Sequence, residues 1–230
     1  MKFTIYIICL CLNIASLTYA KPSDEKKYFF SQASQDHFTH IICNAFLPPT
    51  GRGCYLEIGS SDPIFNNNTY YFEKNFNWEG ISIEIEESYR EQWYEVRQNP
   101  LLIEDALKVD YHAVLQSFPR LMDYLSLDVD GSYDLVLQRI PFDQHVFKVI
   151  TIEHDFYRFG DNYREKERTI LKALGYYLLC PDVSHVAVGS FEDWWIHPCA
   201  FSPEEFLAIS SLDLKEKLHD DIISILQGLK

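Results

Sequence analysis

The sequence predicts a doubly wound α/β sheet, and two observations carry that expectation. Short apolar runs of strand character, at about residues 54–58, 81–85, 101–103, 124–129 and 146–152, alternate with segments of helical spacing. The polar residues gather at the C-terminal ends of these runs. In sheets of this kind a ligand sits beyond the C-terminal ends of the strands. Glu57, Glu84, Asp105, Asp128, Asp130, Glu153 and His154 are therefore expected to converge there.

The first run is the pivot. Cys54, Tyr55, Leu56 and Ile58 read as a buried strand, with Glu57 near its end. Gly59, Ser60, Ser61 and Asp62 then break the chain into a tight turn. Small residues let backbone N–H groups approach a ligand, and an acidic strand end can hold a ligand amine or hydroxyl. Glu84, in GISIEIE, follows about one βαβ unit later. Dinucleotide-type folds place their ribose-binding carboxylate at that position.

Before this strand, SQASQDHFTHIICNAF reads as a helix, with Phe38, Ile41, Ile42 and Phe46 at helical spacing and Ser34 or Asp36 near its start. After it come a short helix, YYFEKNF, and the second strand. EESYREQWYEVRQ is a helix with a charged outer face, stopped by Pro100. YHAVLQSF and residues 133–140 read as helices flanking the fourth strand. Residues 162–174 form another, with Ile170, Leu171 and Leu174 inward and Gly175 as its cap. A hairpin is expected from 176–180 and 185–188, split by Pro181-Asp182. Ser202-Pro203-Glu204-Glu205 starts a helix, and a last amphipathic helix spans about 212–229.

The chain has 230 residues, enough for one domain with a sizeable core. Its 47% hydrophobic and 15% aromatic content is that of a globular protein. A net charge of −14 without a basic run argues against nucleic acid or an anionic membrane as partner. Residues 1–20 have a signal-peptide layout, with an apolar centre and a cut after Ala20. That predicts an exported mature chain of residues 21–230, with a core at about 31–200 and C-terminal helices at 202–229. An uncleaved anchor and a buried first helix are the alternatives. Cys9 and Cys11 would leave with the leader, while Cys43, Cys54, Cys180 and Cys199 remain, and they fit no zinc spacing. They could pair in three ways. Asn67-Asn68-Thr69 is a glycosylation sequon, meaningful only in a eukaryotic host.

The order SQASQD, GCYLEIGSSD, NNTYYFEKNFNWEGISIE, YLSLDVDGSYD and VITIEHD resembles the FkbM family of S-adenosylmethionine-dependent methyltransferases, from about Ser31 to His197. The resemblance implies a class I methyltransferase fold: a seven-stranded Rossmann-like sheet with its last strand antiparallel. It implies O-methylation of a hydroxyl on a sugar or glycan-type acceptor. It assigns Glu57, Gly59, Ser60 and Asp62 to the first cofactor motif, Glu84 to the ribose and Asp105 to the adenine. Asp128 and Asp130 fall beside the methionine end and the acceptor, with Glu153 and His154 at the end of the fifth strand. The family motif usually ends in Asp-Gly, where this chain has Asp62-Pro63. Proline removes an N–H donor and fixes φ.

Methyl transfer to oxygen needs a base, and His154, with an unperturbed pKa near neutrality, is the sequence's candidate, alongside Asp130. A capping role is the alternative for His154. Asp128 and Asp130, with Glu153, could instead hold a magnesium-type ion. Trp194 and Trp195 read as acceptor wall or as core at the sheet edge. Two competing functions remain at this level. Asp128-Val129-Asp130 also resembles the Asp-x-Asp of metal-dependent lumenal glycosyltransferases, and Pro63 would suit a non-catalytic binding module.

Overall fold

The computed structural model describes residues 28–46 and 52–228. The leader read at residues 1–20 lies outside them. Among the described residues, no helix is long and apolar enough to cross a membrane.

The elements follow in order. Helix α1 (Gln35–Ala45) leads into strand β1 (Cys54–Ile58), α2 (Tyr70–Phe76) and β2 (Glu79–Glu84). Next come α3 (Arg90–Val96), β3 (Leu101–Ile103), α4 (Tyr111–Leu115) and β4 (Leu121–Leu127). Then α5 (Tyr133–Leu137) precedes β5 (Val146–Glu153), α6 (Phe156–Phe159) and α7 (Asp161–Ala173). Strands β6 (Tyr177–His185) and β7 (Gly189–Ile196) form a hairpin, and α8 (Pro203–Ser210) and α9 (His219–Gln227) close the chain.

One seven-stranded sheet runs in the order β3-β2-β1-β4-β5-β7-β6. Strands β1 to β5 pair in parallel, and β7 is antiparallel to both β5 and β6. This is the doubly wound arrangement the sequence predicts, with the last strand reversed. The order reverses between β1 and β4, which opens a crevice at their C-terminal ends.

Strand alternation builds two cores from adjacent residues. Tyr55, Tyr124, Val149 and Trp194 point to one face, where they meet Phe38 and Ile42 of α1 and Ile222 of α9. Leu56, Leu125, Ile150 and Trp195 point to the other, against Tyr133 and Val136 of α5 and Leu171 of α7. Each central strand is buried on both faces, so it reads as a continuous apolar run rather than an alternating one. Trp194 and Trp195 are fully buried, and Trp194 stacks on Phe38 at 4.5 Å. They are core residues, and the acceptor-wall reading of them falls.

Three sequence expectations are corrected. The hairpin does not break at Pro181-Asp182. β6 passes through that pair with a register shift, and its partner is β7. β6 is the outer strand of the sheet, where a missing N–H is tolerated. The segment expected to begin the last helix instead crosses to that edge. Glu216 N–H donates to the Pro181 carbonyl and Ser184 N–H to that of Lys217, and Ser184 bridges Leu218. This contact occupies open strand groups, and α9 starts only at His219. The sequon is also not an acceptor. Asn67 is 1% exposed, and its amide donates to the Ser60 and Asp62 carbonyls. The four described cysteines carry no disulfide.

Glu167 of α7 is buried with neither carboxyl oxygen partnered. Burial, then the nearby Asp193 and Asp134 carboxylates, push its pKa up to about 9. A carboxyl raised in the folded state stabilises below its unfolded pKa, and that contribution is lost as pH rises toward the folded one. The loss is about 1.4 kcal/mol per pH unit across this window. Glu167→Gln is therefore expected to melt higher than the parent chain above neutral pH, with the two curves converging near pH ~4.5. Thermal melts across pH check this, and a Glu167→Gln chain that melts lower at every pH contradicts it.

Candidate active site

A cavity of about 650 Å³ opens at the C-terminal edge of the sheet. That volume is within the roughly 300–1,000 Å³ usual for small-molecule sites. Its floor is the β1 turn, where Gly59 adopts φ +83° and donates its N–H to the Ile83 carbonyl. A Cβ at this position would overlap the Asp128 carbonyl oxygen. The ends of β1 and β4 thus meet backbone to backbone, which only glycine permits. Ser60 lies beside it, 3% exposed, and its hydroxyl is without a protein partner.

Glu84 forms the next wall. Its carboxylate accepts N–H bonds from Ser61 at 2.7 Å, Ile85 at 2.8 Å and Glu86 at 2.9 Å. Three donors fix the rotamer and tie the β2 end to the β1 turn. A carboxylate accepts about four bonds, so capacity remains for a ligand hydroxyl. Asp105 follows after β3. It lines the cavity, accepts from the Leu107 N–H and pairs with Lys108 at 3.1 Å. These bonds hold its pKa below the usual carboxylate range.

Asp128 and Glu153, at the ends of the adjacent strands β4 and β5, line the other half. Burial pushes both upward, and neighbouring carboxylates add to the rise. Glu192 of β7 lies behind them, fully buried and pushed upward for the same first reason. Asp130 turns outward, its side chain mostly exposed, onto Arg158 at 2.7 Å. The same guanidinium nitrogen reaches Asp155 at 2.8 Å, and Tyr133 donates to that carboxylate at 3.2 Å. Gln32, Asn66, Tyr157, His185, Val188 and Phe191 complete the lining.

Glu57 and Asp62 do not face the cavity. Glu57 points into the protein, where one oxygen accepts from Thr69 at 2.9 Å and Ser82 at 2.6 Å. Burial raises its pKa, and Arg97 opposes that. Asp62 caps its own turn, accepting from the Ile64 and Phe65 N–H groups. Pro63 is likewise outside the wall, and its carbonyl accepts from Arg97. The N–H that proline lacks is therefore not missing from the cavity.

His154 does not reach the cavity either. Its ring is fully buried, with Nδ1 accepting from the Phe156 N–H at 3.2 Å. That is the capping role. Its Nε2 lies 3.6 Å from Asp193 and 4.0 Å from Asp182. These three are the group of ligand atoms that converges among the described residues. Arg168 already forks Asp193 at 2.7 and 2.8 Å, and both Arg164 and Arg168 hold Asp182. Two guanidiniums neutralise both carboxylates, which leaves a metal no charge to bind. Asp128 and Asp130 face different surroundings and form no such group, so magnesium has no visible ligand set at that pair.

The sequence reading missed Ser61, Tyr157, Arg158 and His185. The first is a backbone donor, which side-chain identity does not mark. The others come from α6 and the β6–β7 turn, and neither was placed. His185 stacks on His219 of α9 at 5.5 Å, which brings the turn over the site.

The sheet order, the reversed final strand and the cavity at the switch point define a class I methyltransferase-type fold. Solved structures bear out that fold. Cofactor-bound Rv0187 from MTB superposes with a TM-score of 0.51 at 15% identity, over 71% of this chain and 79% of that one. A protein from Streptococcus thermophilus named as a hemolysin gives 0.50 at 9% identity, over 89% and 76%. No protein-family model matches the chain, and no curated protein does.

Gly59→Ala is expected to destabilise the protein by about 3 kcal/mol or more, through backbone overlap and a strained positive φ. Denaturant melts read this, and a loss below about 1 kcal/mol would show that the β1 and β4 ends separate easily.

Proposed function

We propose that this chain is an S-adenosylmethionine-dependent methyltransferase acting on a hydroxyl of a sugar or glycan-type acceptor, allied to the FkbM group it resembles. The observation that supports it most is the Glu84 carboxylate, fixed by three N–H donors beside the Gly59 turn on the cavity wall. A carboxylate so placed suits a ribose, and Asp105 beyond it suits the adenine edge. The orphaned Ser60 hydroxyl and the glycine turn offer polar contacts to the amino-acid end.

Charge points the same way. Glu84, Glu86, Glu104, Asp105, Asp128, Asp130, Glu153 and Asp155 all line the cavity, with Arg158 and His185 as its basic side chains. An acidic, partly buried wall favours a ligand that carries positive charge. S-adenosylmethionine, when bound, supplies a sulfonium methyl for transfer. Asp128 and Glu153, on the cavity wall, would face that cation. Gln32, Asn66 and His185 would bind acceptor hydroxyls, and the half-exposed Tyr157 ring offers a stacking face for a sugar. In-line positioning supplies most of the rate. The leader read at residues 1–20 would place this activity in the secretory pathway.

Calorimetric titration with S-adenosylmethionine is expected to give micromolar binding that Glu84→Ala weakens by about tenfold or more, a loss of roughly 1.4 kcal/mol. Absence of binding by folded protein would leave a non-catalytic module of the same fold.

A further inference from the structure

We propose that Tyr89 is a ribose-reading residue of this site. Its hydroxyl donates to one hydroxyl of the nucleoside, while Glu84 accepts from the other. The proposal rests on the methyltransferase reading and deepens it.

Glu84 has less to offer a ligand than a free carboxylate. Its Oε1 accepts from the Ile85 N–H at 2.8 Å and the Glu86 N–H at 2.9 Å. Its Oε2 accepts from the Ser61 N–H at 2.7 Å. Each carboxylate oxygen takes about two bonds, so Oε1 is filled and one place remains on Oε2. A ribose presents two neighbouring hydroxyls. Glu84 can therefore hold one of them, and the other needs a second partner.

Ser61 leads to that partner. Its N–H holds Glu84 Oε2, and its hydroxyl donates to the Tyr89 hydroxyl oxygen at 3.1 Å. One residue thus sets the phenol close to the last open place on the carboxylate. Tyr89 is half-buried and lines the cavity from the short helical turn Glu87–Tyr89. Its N–H donates to the Glu86 carbonyl at 3.3 Å, and the Glu86 N–H is the one bonded to Glu84. The phenol and the carboxylate are therefore tied together from both sides. Because Ser61 is the donor in the bond between the hydroxyls, the phenolic hydrogen is left over.

The neighbouring side chains offer no substitute. Glu86, Glu104 and Asp105 line the wall built by the β2 and β3 ends, and carboxylates only accept. The Ser61 hydrogen is spent on Tyr89. Among the described residues of that wall, Tyr89 carries the side-chain hydrogen that a second ribose oxygen can receive. Acceptor and donor then stand side by side, one for each hydroxyl of the diol.

The test is calorimetric titration of the full chain with S-adenosylhomocysteine and with its two deoxyribose forms, each lacking one ring hydroxyl. In the parent chain, the form without the hydroxyl held by Glu84 is expected to bind about tenfold more weakly or worse. The other form is expected to bind about three- to tenfold more weakly. Tyr89→Phe is expected to erase the second penalty and keep the first. A tyrosine that only supported the fold would weaken all three probes alike and leave both penalties. Ser61 has φ +50°, so Ser61→Gly suits the backbone, keeps the N–H on Glu84 and removes the hydroxyl that orients the phenol. It is expected to shrink the second penalty alone, and it decides the matter if Tyr89→Phe fails a circular dichroism fold check. Persistence of both penalties in a folded variant, or loss of both, overturns the proposal and leaves the methyltransferase reading intact. Absence of binding by the folded parent chain overturns that reading, and the role of Tyr89 with it.

Discussion

One guanidinium holds the cavity side of this protein together. Arg97 is 3% exposed and uses five N–H···O bonds, to Glu73, the Pro63 carbonyl, Asn67, Tyr55 and Thr69. Those are all the donors a guanidinium has. They pin the loop from Pro63 to Thr69, which leads from the β1 turn into α2. They also place a positive charge near Glu57, whose carboxylate holds Thr69 and Ser82. Breaking one partner of such a buried pair costs about 3–5 kcal/mol, because the other charge is stranded. The β1 turn can therefore present Ser60 and Ser61 to the cavity without a ligand to organise it.

Two acidic networks lie a strand apart and are solved differently. Around β6 and β7, Asp182 and Asp193 are neutralised by Arg164 and Arg168, and this cluster ties α7 to the sheet edge. Around β4, β5 and β7, no ion pair joins Asp128, Glu153 or Glu192 among the described residues, and burial raises all three. The first network is internally complete. The second sets Asp128 and Glu153 on the cavity wall, with Glu192 buried behind them.

The sheet was legible because its strands are short, dense apolar runs closed by acidic turns, and the spacing from Gly59 to Glu84 located the cavity. The direction of side chains was not legible. Glu57 is next but one to Gly59, yet its carboxylate is held inside the protein by Thr69 and Ser82. His154 follows Glu153 by one residue, so the alternation of side chains turns it away from the cavity that Glu153 lines. Pro181-Asp182 read as a turn because sequence does not mark an edge strand, where proline is harmless. His185 and Val188 stayed hidden for a simpler reason. The β6–β7 turn that carries them reaches the cavity through the reversed final strand.

The central claim is that the β1 turn, the β2 end and the β4 end close on one nucleotide-like cation. Hydrogen–deuterium exchange with and without S-adenosylmethionine reads it directly. Slowed exchange confined to residues 59–61, 84–86, 104–107 and 128–132 is the expected result. Unchanged exchange in those four segments, at saturating ligand and with the core protected, would contradict the account.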